Sequence, residues 1–138
     1  MTPRGIRNHN PLNIRRSKDQ WKGLKAQQTD PAFCQFESLE YGWRAAFYLL
    51  TRTYYHKYRL YTIRSIISKW APPIENKTDV YIANVSRLTG IQPDEPIGIP
   101  SEQPSRWIAL GAAMAIQENG TESTDYFAML RGWEMARG

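Results

Sequence analysis

Arg106-Trp-Ile-Ala-Leu-Gly-Ala-Ala-Met-Ala-Ile-Gln-Glu118-Asn119-Gly120 is the stretch on which the reading of this chain turns. Between Trp107 and Ile116 no side chain is charged or strongly polar, which predicts a helix buried all round rather than one with a single apolar stripe. Pro104 fits the first turn of that helix and Gly120 its left-handed stop. Glu118 then emerges where the apolar rod ends. Partial desolvation and the negative end of the helix dipole both disfavour added negative charge there, and a general acid for glycosidic cleavage must hold its proton near neutral pH. The plainer alternative makes Glu118 a solvated last-turn residue ahead of a glycine stop.

The 138 residues suit one domain, residues 1–138, with a single core. Cys34 is the only cysteine, so no intramolecular disulfide and no thiolate metal cluster can form. His9 and His56 are too few and too far apart to suggest a metal site, and no metal or cofactor is expected. The N-terminus lacks an apolar signal segment and no run reaches membrane-spanning length. The expectation is synthesis in a bacterial cytoplasm without a signal peptide, and no membrane insertion.

Charge is unevenly placed. Residues 1–70 hold 13 Lys and Arg against 4 Asp and Glu, whereas residues 71–138 hold 5 against 9. The basic first half favours an anionic polymer such as nucleic acid, cell-wall polysaccharide or a membrane surface. For nucleic acid this is the sole argument, since zinc-finger spacing, a recognition helix with clustered basic residues and a Gly-rich phosphate loop are all missing from the sequence.

Residues 4–36 are rich in Asn, Arg, Gln and Pro, with Gly23 and Pro31 as breakers; this predicts irregular chain with a short hairpin, its strands at residues 12–16, 24–27 and 33–36. From Ser38 onward helices dominate. Ser38 caps the longest, with Leu39, Trp43, Ala46, Phe47, Leu50 and Tyr54 at helical spacing. Thr62 caps a short helix through Trp70, which Pro72 and Pro73 terminate. Thr78 caps the next, in which Tyr81, Val85 and Leu88 share a face before the stop at Gly90. Residues 91–103 read as an ordered loop. A last helix from about Thr124 to Ala136 presents Phe127, Leu130 and Met135, with Trp133 near them. The expected architecture is mainly α (α+β), a helical domain with a small β-hairpin lobe.

Two resemblances are carried by short stretches of the chain. Asn10-Pro11-Leu12-Asn13-Ile14, Trp21-Lys22-Gly23 and Phe33-Cys34-Gln35-Phe36-Glu37-Ser38 resemble the Asn-Asn-Leu-Phe-Gly-Ile, Trp-x-Gly and Phe-Arg-x-Tyr-x-Ser series of bacterial cell-wall glucosaminidases. Arg4-Gly5-Ile6-Arg7-Asn8-x-Asn10-Pro11, Trp70-Ala71-Pro72-Pro73-x-Glu75-Asn76-x-Thr78 and Glu118-Asn119-Gly120 resemble, over nearly the whole chain, a family of phage-encoded proteins known as virion structural proteins. The first likeness implies a lysozyme-like fold shared with lytic transglycosylases, whose catalytic Glu closes an apolar helix upstream of the Asn-rich motif. Here the equivalent pattern stands at the other end, as Ile116-Gln117-Glu118-Asn119-Gly120. Read cyclically from Glu118 the motifs keep their order, which implies a circular permutation. Asp79-Val80-Tyr81-Ile82-Ala83 matches in part the glucosaminidase Tyr-x-x-x-Pro-x-Tyr-Ala segment and would put Tyr81 in the cleft.

The expected function is cleavage of the β-1,4 glycan linkage of peptidoglycan, by hydrolysis or transglycosylation, at the cell wall or periplasm. The partners would be glycan strands and virion components. Glu118 is the candidate acid and Glu75, fixed after the Pro-Pro turn, the second catalytic carboxylate, although a charge there also suits the start of the following helix. Asn13, Tyr81, Thr78, Trp70 and Trp21 are the candidate substrate-binding residues. The rival is a virion or wall-binding structural protein of the same fold without activity.

Overall fold

The computed structural model describes residues 2–73, 77–120 and 125–137. Among them run α1 (Arg4–Arg7), α2 (Leu39–Tyr48), α3 (Ile63–Trp70), α4 (Thr78–Thr89), α5 (Pro104–Asn119) and α6 (Tyr126–Arg137). Glu75 and Thr124, both singled out in the sequence, lie outside the described residues. No described helix is long and apolar enough to cross a membrane.

Local chemistry sets most of the helix ends. Ser38 accepts a hydrogen bond from the Tyr41 N–H at the start of α2. Thr62 and Ser65 form a reciprocal capping box on α3. Gly90 and Gly120 close α4 and α5 at φ of +75° and +70°, a conformation that costs glycine little. Thr78 differs from expectation. It is the first residue of α4 rather than its cap, and its hydroxyl donates to the Ala71 carbonyl, tying the ends of the intervening loop together.

α2 continues into residues Leu49–Lys57, where the helix widens to π-type bonding. The Tyr58 N–H reaches back five residues to the Thr53 carbonyl at 2.9 Å. Thr51 offers a cause. Its hydroxyl takes the Phe47 carbonyl at 2.7 Å, the acceptor an α-helix assigns to the Thr51 N–H, and such side-chain competition loosens helical bonding.

Buried apolar side chains form one continuous cluster. α5 runs through it as its apolar run predicts: no residue from Arg106 to Asn119 is exposed, and Trp107, Leu110 and Met114 are wholly buried. α2 lies between α5 and α6, and small residues allow the approach. A β-carbon on Gly111 would meet the Phe47 ring, and one on Gly132 would meet the Cβ of Trp43. α6 therefore turns Ala128, Met129, Gly132, Trp133 and Ala136 inward. The expected face was wrong, because Phe127 is 87% exposed and Leu130 also faces out.

The expected strands are the other correction. Among the described residues they reduce to two isolated antiparallel bridges, Arg15 to Phe33 and Leu24 to Phe36. Side chains take the backbone groups that a ladder would use. The Asn10 amide donates to the carbonyls of Ile14 and Cys34 and accepts the Ile14 N–H, all within 3.0 Å. The Gln28 amide donates to the Gln35 carbonyl and accepts the Gln35 N–H, the Gln35 amide oxygen accepts the Thr29 N–H, and Asp30 accepts the N–H groups of Ala32 and Phe33.

Candidate active site

Glu118 sits in the last turn of α5, partly buried, with both carboxylate oxygens engaged. Asn13 Nδ2 donates to Oε1 at 3.0 Å and the Tyr81 hydroxyl donates to Oε2 at 2.9 Å. The three residues come from three separate segments, the N-terminal loop, α4 and α5. Asn13 adopts φ +52°, a left-handed conformation that asparagine tolerates better than other side chains.

Asn119 holds the end of α5 to the N-terminal loop. Its Nδ2 donates to the Pro11 carbonyl and to the Ala115 carbonyl, each at 2.9 Å. Gly5 of α1 lies directly against this joint: a β-carbon there would collide with Asn119 Oδ1 and crowd Asn13 Oδ1 at 3.1 Å. The motif around Arg4 to Asn8 thus serves the joint between α1 and α5. Asn8 and Asn10 hold the loop in place, since Asn8 donates to Asp30 and Asn10 pins two carbonyls.

Tyr81 is buried, and that burial, followed by the neighbouring Glu118 charge and their hydrogen bond, raises its pKa well above the usual tyrosine value. It stays a hydroxyl and therefore a donor.

A cleft of about 410 Å³ opens above Glu118. Asn13, Ile14, Arg15, Trp21 and Phe33 line it from the N-terminal segment, and Leu49, Tyr54, Trp70 and Ala71 from the helical side. Of the sequence-predicted binding residues, the structure brings Asn13, Trp21 and Trp70 to the cleft, with Tyr81 against Glu118. Thr78 is buried and engaged with Ala71, so it supports the wall without lining it. Asn13 Oδ1 and the Trp21 indole N–H are buried without a hydrogen-bond partner among the described residues, an expense that protein interiors usually avoid.

Sequence reasoning missed Asp19, Leu49 and Tyr54. Asp19 lies in an exposed polar loop, bonded to Ser17, and nothing in its surroundings marks it. Leu49 and Tyr54 belong to the π-type segment, where helical spacing gives the wrong face. Burial, then the adjacent Tyr58, raises the Tyr54 pKa to about 12. No group of acidic, His or Cys residues suited to a metal occurs among the described residues.

Fold and site together define a small, mainly helical protein whose last-turn glutamate is clamped at the floor of an aromatic cleft. No protein-family model matches the chain. The chain is 38% identical over 134 residues to Protein P5 of Pseudoalteromonas phage PM2, a match covering 95% of this chain and 80% of that protein. It belongs to the same family, and its relative is phage-encoded.

Proposed function

We propose that this chain is a peptidoglycan-cleaving glycosidase or lytic transglycosylase carried by a phage, with Glu118 as its catalytic acid. The observation that carries the reading is the pair of donors on Glu118 at the floor of a cleft lined by Trp21, Trp70 and Tyr54. In the proposed step Glu118 passes a proton to the leaving glycosidic oxygen as the C–O bond breaks. The carboxylate left behind is met by Asn13 N–H and Tyr81 O–H, already in place, so they stabilise charge that appears only as the reaction proceeds. The positive charge on the sugar is stabilised by Glu75 or by the substrate's own groups. Water, or a hydroxyl of the same sugar, then attacks the anomeric carbon, and Glu118 takes up the proton released.

The relation to the lysozyme-like fold, with the catalytic helix displaced toward the C-terminus of a single domain, belongs to this proposal. The contact between Asn13 and Glu118 across 105 positions supports it, because a cyclic order of the motifs requires these two segments to meet. Phage origin of the relative supports action at a bacterial wall, with delivery by a virion, by lysis or by a secretion machine.

Turnover on purified peptidoglycan tests the proposal. Glu118→Gln should reduce glycan cleavage by about a hundred- to ten-thousand-fold with an unchanged melting temperature, since glutamine fills the same space. Glu75→Gln should cost less if Glu75 only stabilises charge. A dead Glu75→Gln beside a fully active Glu118→Gln would move the acid to the Pro-Pro loop. A wild type without turnover would leave a non-catalytic structural protein.

A further inference from the structure

Beside the Glu118 cleft lies a second and larger groove, of about 780 Å³. The two share Asp19, Trp21, Leu49 and Tyr54 in their linings, so one surface leads into the other. The character changes along the way. Lys22, Arg44, Lys57 and Lys69 line the larger groove, with Asp19 its only carboxylate among the described residues.

Three of these cations lie against aromatic rings, and two share one ring. Lys57 and Lys69 both lie over the Tyr58 ring, at 5.7 and 4.7 Å from its centroid, and Arg44 lies over Tyr48 at 5.8 Å. Among the described residues none of the four forms an ion pair. Cation–π contacts orient an ammonium without neutralising it. Two ammoniums on one ring repel each other, and an anion between them would remove that repulsion.

We propose that this groove binds the carboxylates of the peptide stems that branch from a peptidoglycan strand, while the strand itself lies in the Glu118 cleft. The proposal rests on the glycan reading of that cleft and names the part of the substrate that the adjoining surface recognises. The sugars of the strand are mostly neutral, and its negative charge sits on the peptides. Because the two linings adjoin, a branch leaving a strand seated over Glu118 is within reach of the larger groove. Three of the four cations are lysines, point charges on flexible stems that suit carboxylates spaced along a mobile peptide; compact phosphate recognition favours the arginine fork. Trp21 and Leu49 offer apolar surface to the peptide's methylenes.

The test is retention of the full chain on three probes at low salt: intact sacculi, sacculi stripped of their peptides by an amidase, and vesicles of phosphatidylglycerol. It is run with the wild type and, to prevent turnover during binding, in a Glu118→Gln background. Lys57→Gln and Lys69→Gln are made together; both side chains are exposed, and matched melting temperatures verify the fold. The wild type should hold intact sacculi about tenfold more tightly than stripped ones, and the double variant should lose that preference. Salt near 1 M, where charges are screened within about 3 Å, should abolish it too. Equal wild-type binding to intact and stripped sacculi, or a double variant that keeps the preference, overturns the proposal. Dependence on the two lysines for vesicles but not for sacculi assigns the groove to a phosphate headgroup and overturns it equally. Because the readout is binding, a preference without turnover removes the glycosidase reading alone, and turnover without a preference removes the groove alone.

Discussion

On one side of the Glu118 cleft the backbone of residues 8–36 is tied by side-chain amides and one carboxylate, with Asn8, Asn10, Gln28, Asp30 and Gln35 all bonded to main chain or to each other. On the other side α2, α5 and α6 meet through rings and small residues: Trp43 stacks on Phe47 at 5.2 Å, and Phe47 meets Trp133 edge to face at 5.2 Å. The first arrangement is directional, and it can hold Asn13 at an unfavourable φ with its amide on Glu118. The second is non-directional and supplies bulk stability by removing apolar surface from water. The glutamate sits where they join, on a helix stabilised by packing and against donors whose loop is stabilised by hydrogen bonds.

This contrast predicts two different failures. Trp43→Ala should cost about 3–5 kcal/mol of global stability, because Trp43 is 1% exposed and packs between α5 and α6. Chemical denaturation followed by tryptophan fluorescence and circular dichroism should show a single earlier transition. Asn10→Ala should cost less, about 1–3 kcal/mol, since it strands the Ile14 N–H and the Cys34 carbonyl, while the Ile14 carbonyl keeps the Cys34 N–H. Its damage should be local: amide exchange should accelerate across residues 8–36 while α2 and α5 keep their protection. If Asn10→Ala instead releases the helices at the same denaturant concentration, the two walls form one cooperative unit and the distinction between them fails.

The helical wall was the legible one. α5 announces itself by lacking any polar residue over Trp107 to Ile116, and Ser38, Thr62, Gly90 and Gly120 mark ends that local hydrogen bonding enforces. α6 was misread because hydrophobicity is a poor guide where closeness matters: Ala128, Gly132 and Ala136 make its inner face, and Phe127 stays outside. The loop wall was legible only as punctuation. Its alternating apolar residues resemble strands, but a pattern of side chains does not reveal that Asn10 and Gln35 will claim the backbone partners. The convergence of Asn13, Tyr81 and Glu118 spans 105 and 37 positions. No local rule links them; only the resemblance of the motifs does. The larger basic groove was visible only as an excess of charge in the first half, because Lys22, Arg44, Lys57 and Lys69 are scattered along the chain.

The smallest effect sharpens the comparison most, because it separates charge from shape within the loop wall. Asp30 is nearly buried and accepts hydrogen bonds from the Ala32 and Phe33 N–H groups and from Asn8, with Arg4 3.5 Å away. The backbone donors first, then Asn8, lower its pKa from 3.8 to about 2. The folded chain thus keeps Asp30 ionised at a pH where the unfolded chain has already bound a proton. Stability from this group is fully present above about pH 4 and disappears as the pH falls through about 2. Asp30→Asn retains an oxygen for Ala32 and Phe33 but cannot carry the charge. The melting temperature of the wild type should therefore exceed that of Asp30→Asn at pH 6, and the gap should close on acidification toward pH 2. Closure should be accompanied by faster amide exchange at Ala32 and Phe33, with α5 unaffected. A gap that stays constant down to pH 2 would mean that the variant is weakened by the lost hydrogen bond from Asn8, whose amide would face another donor, and not by the lost charge.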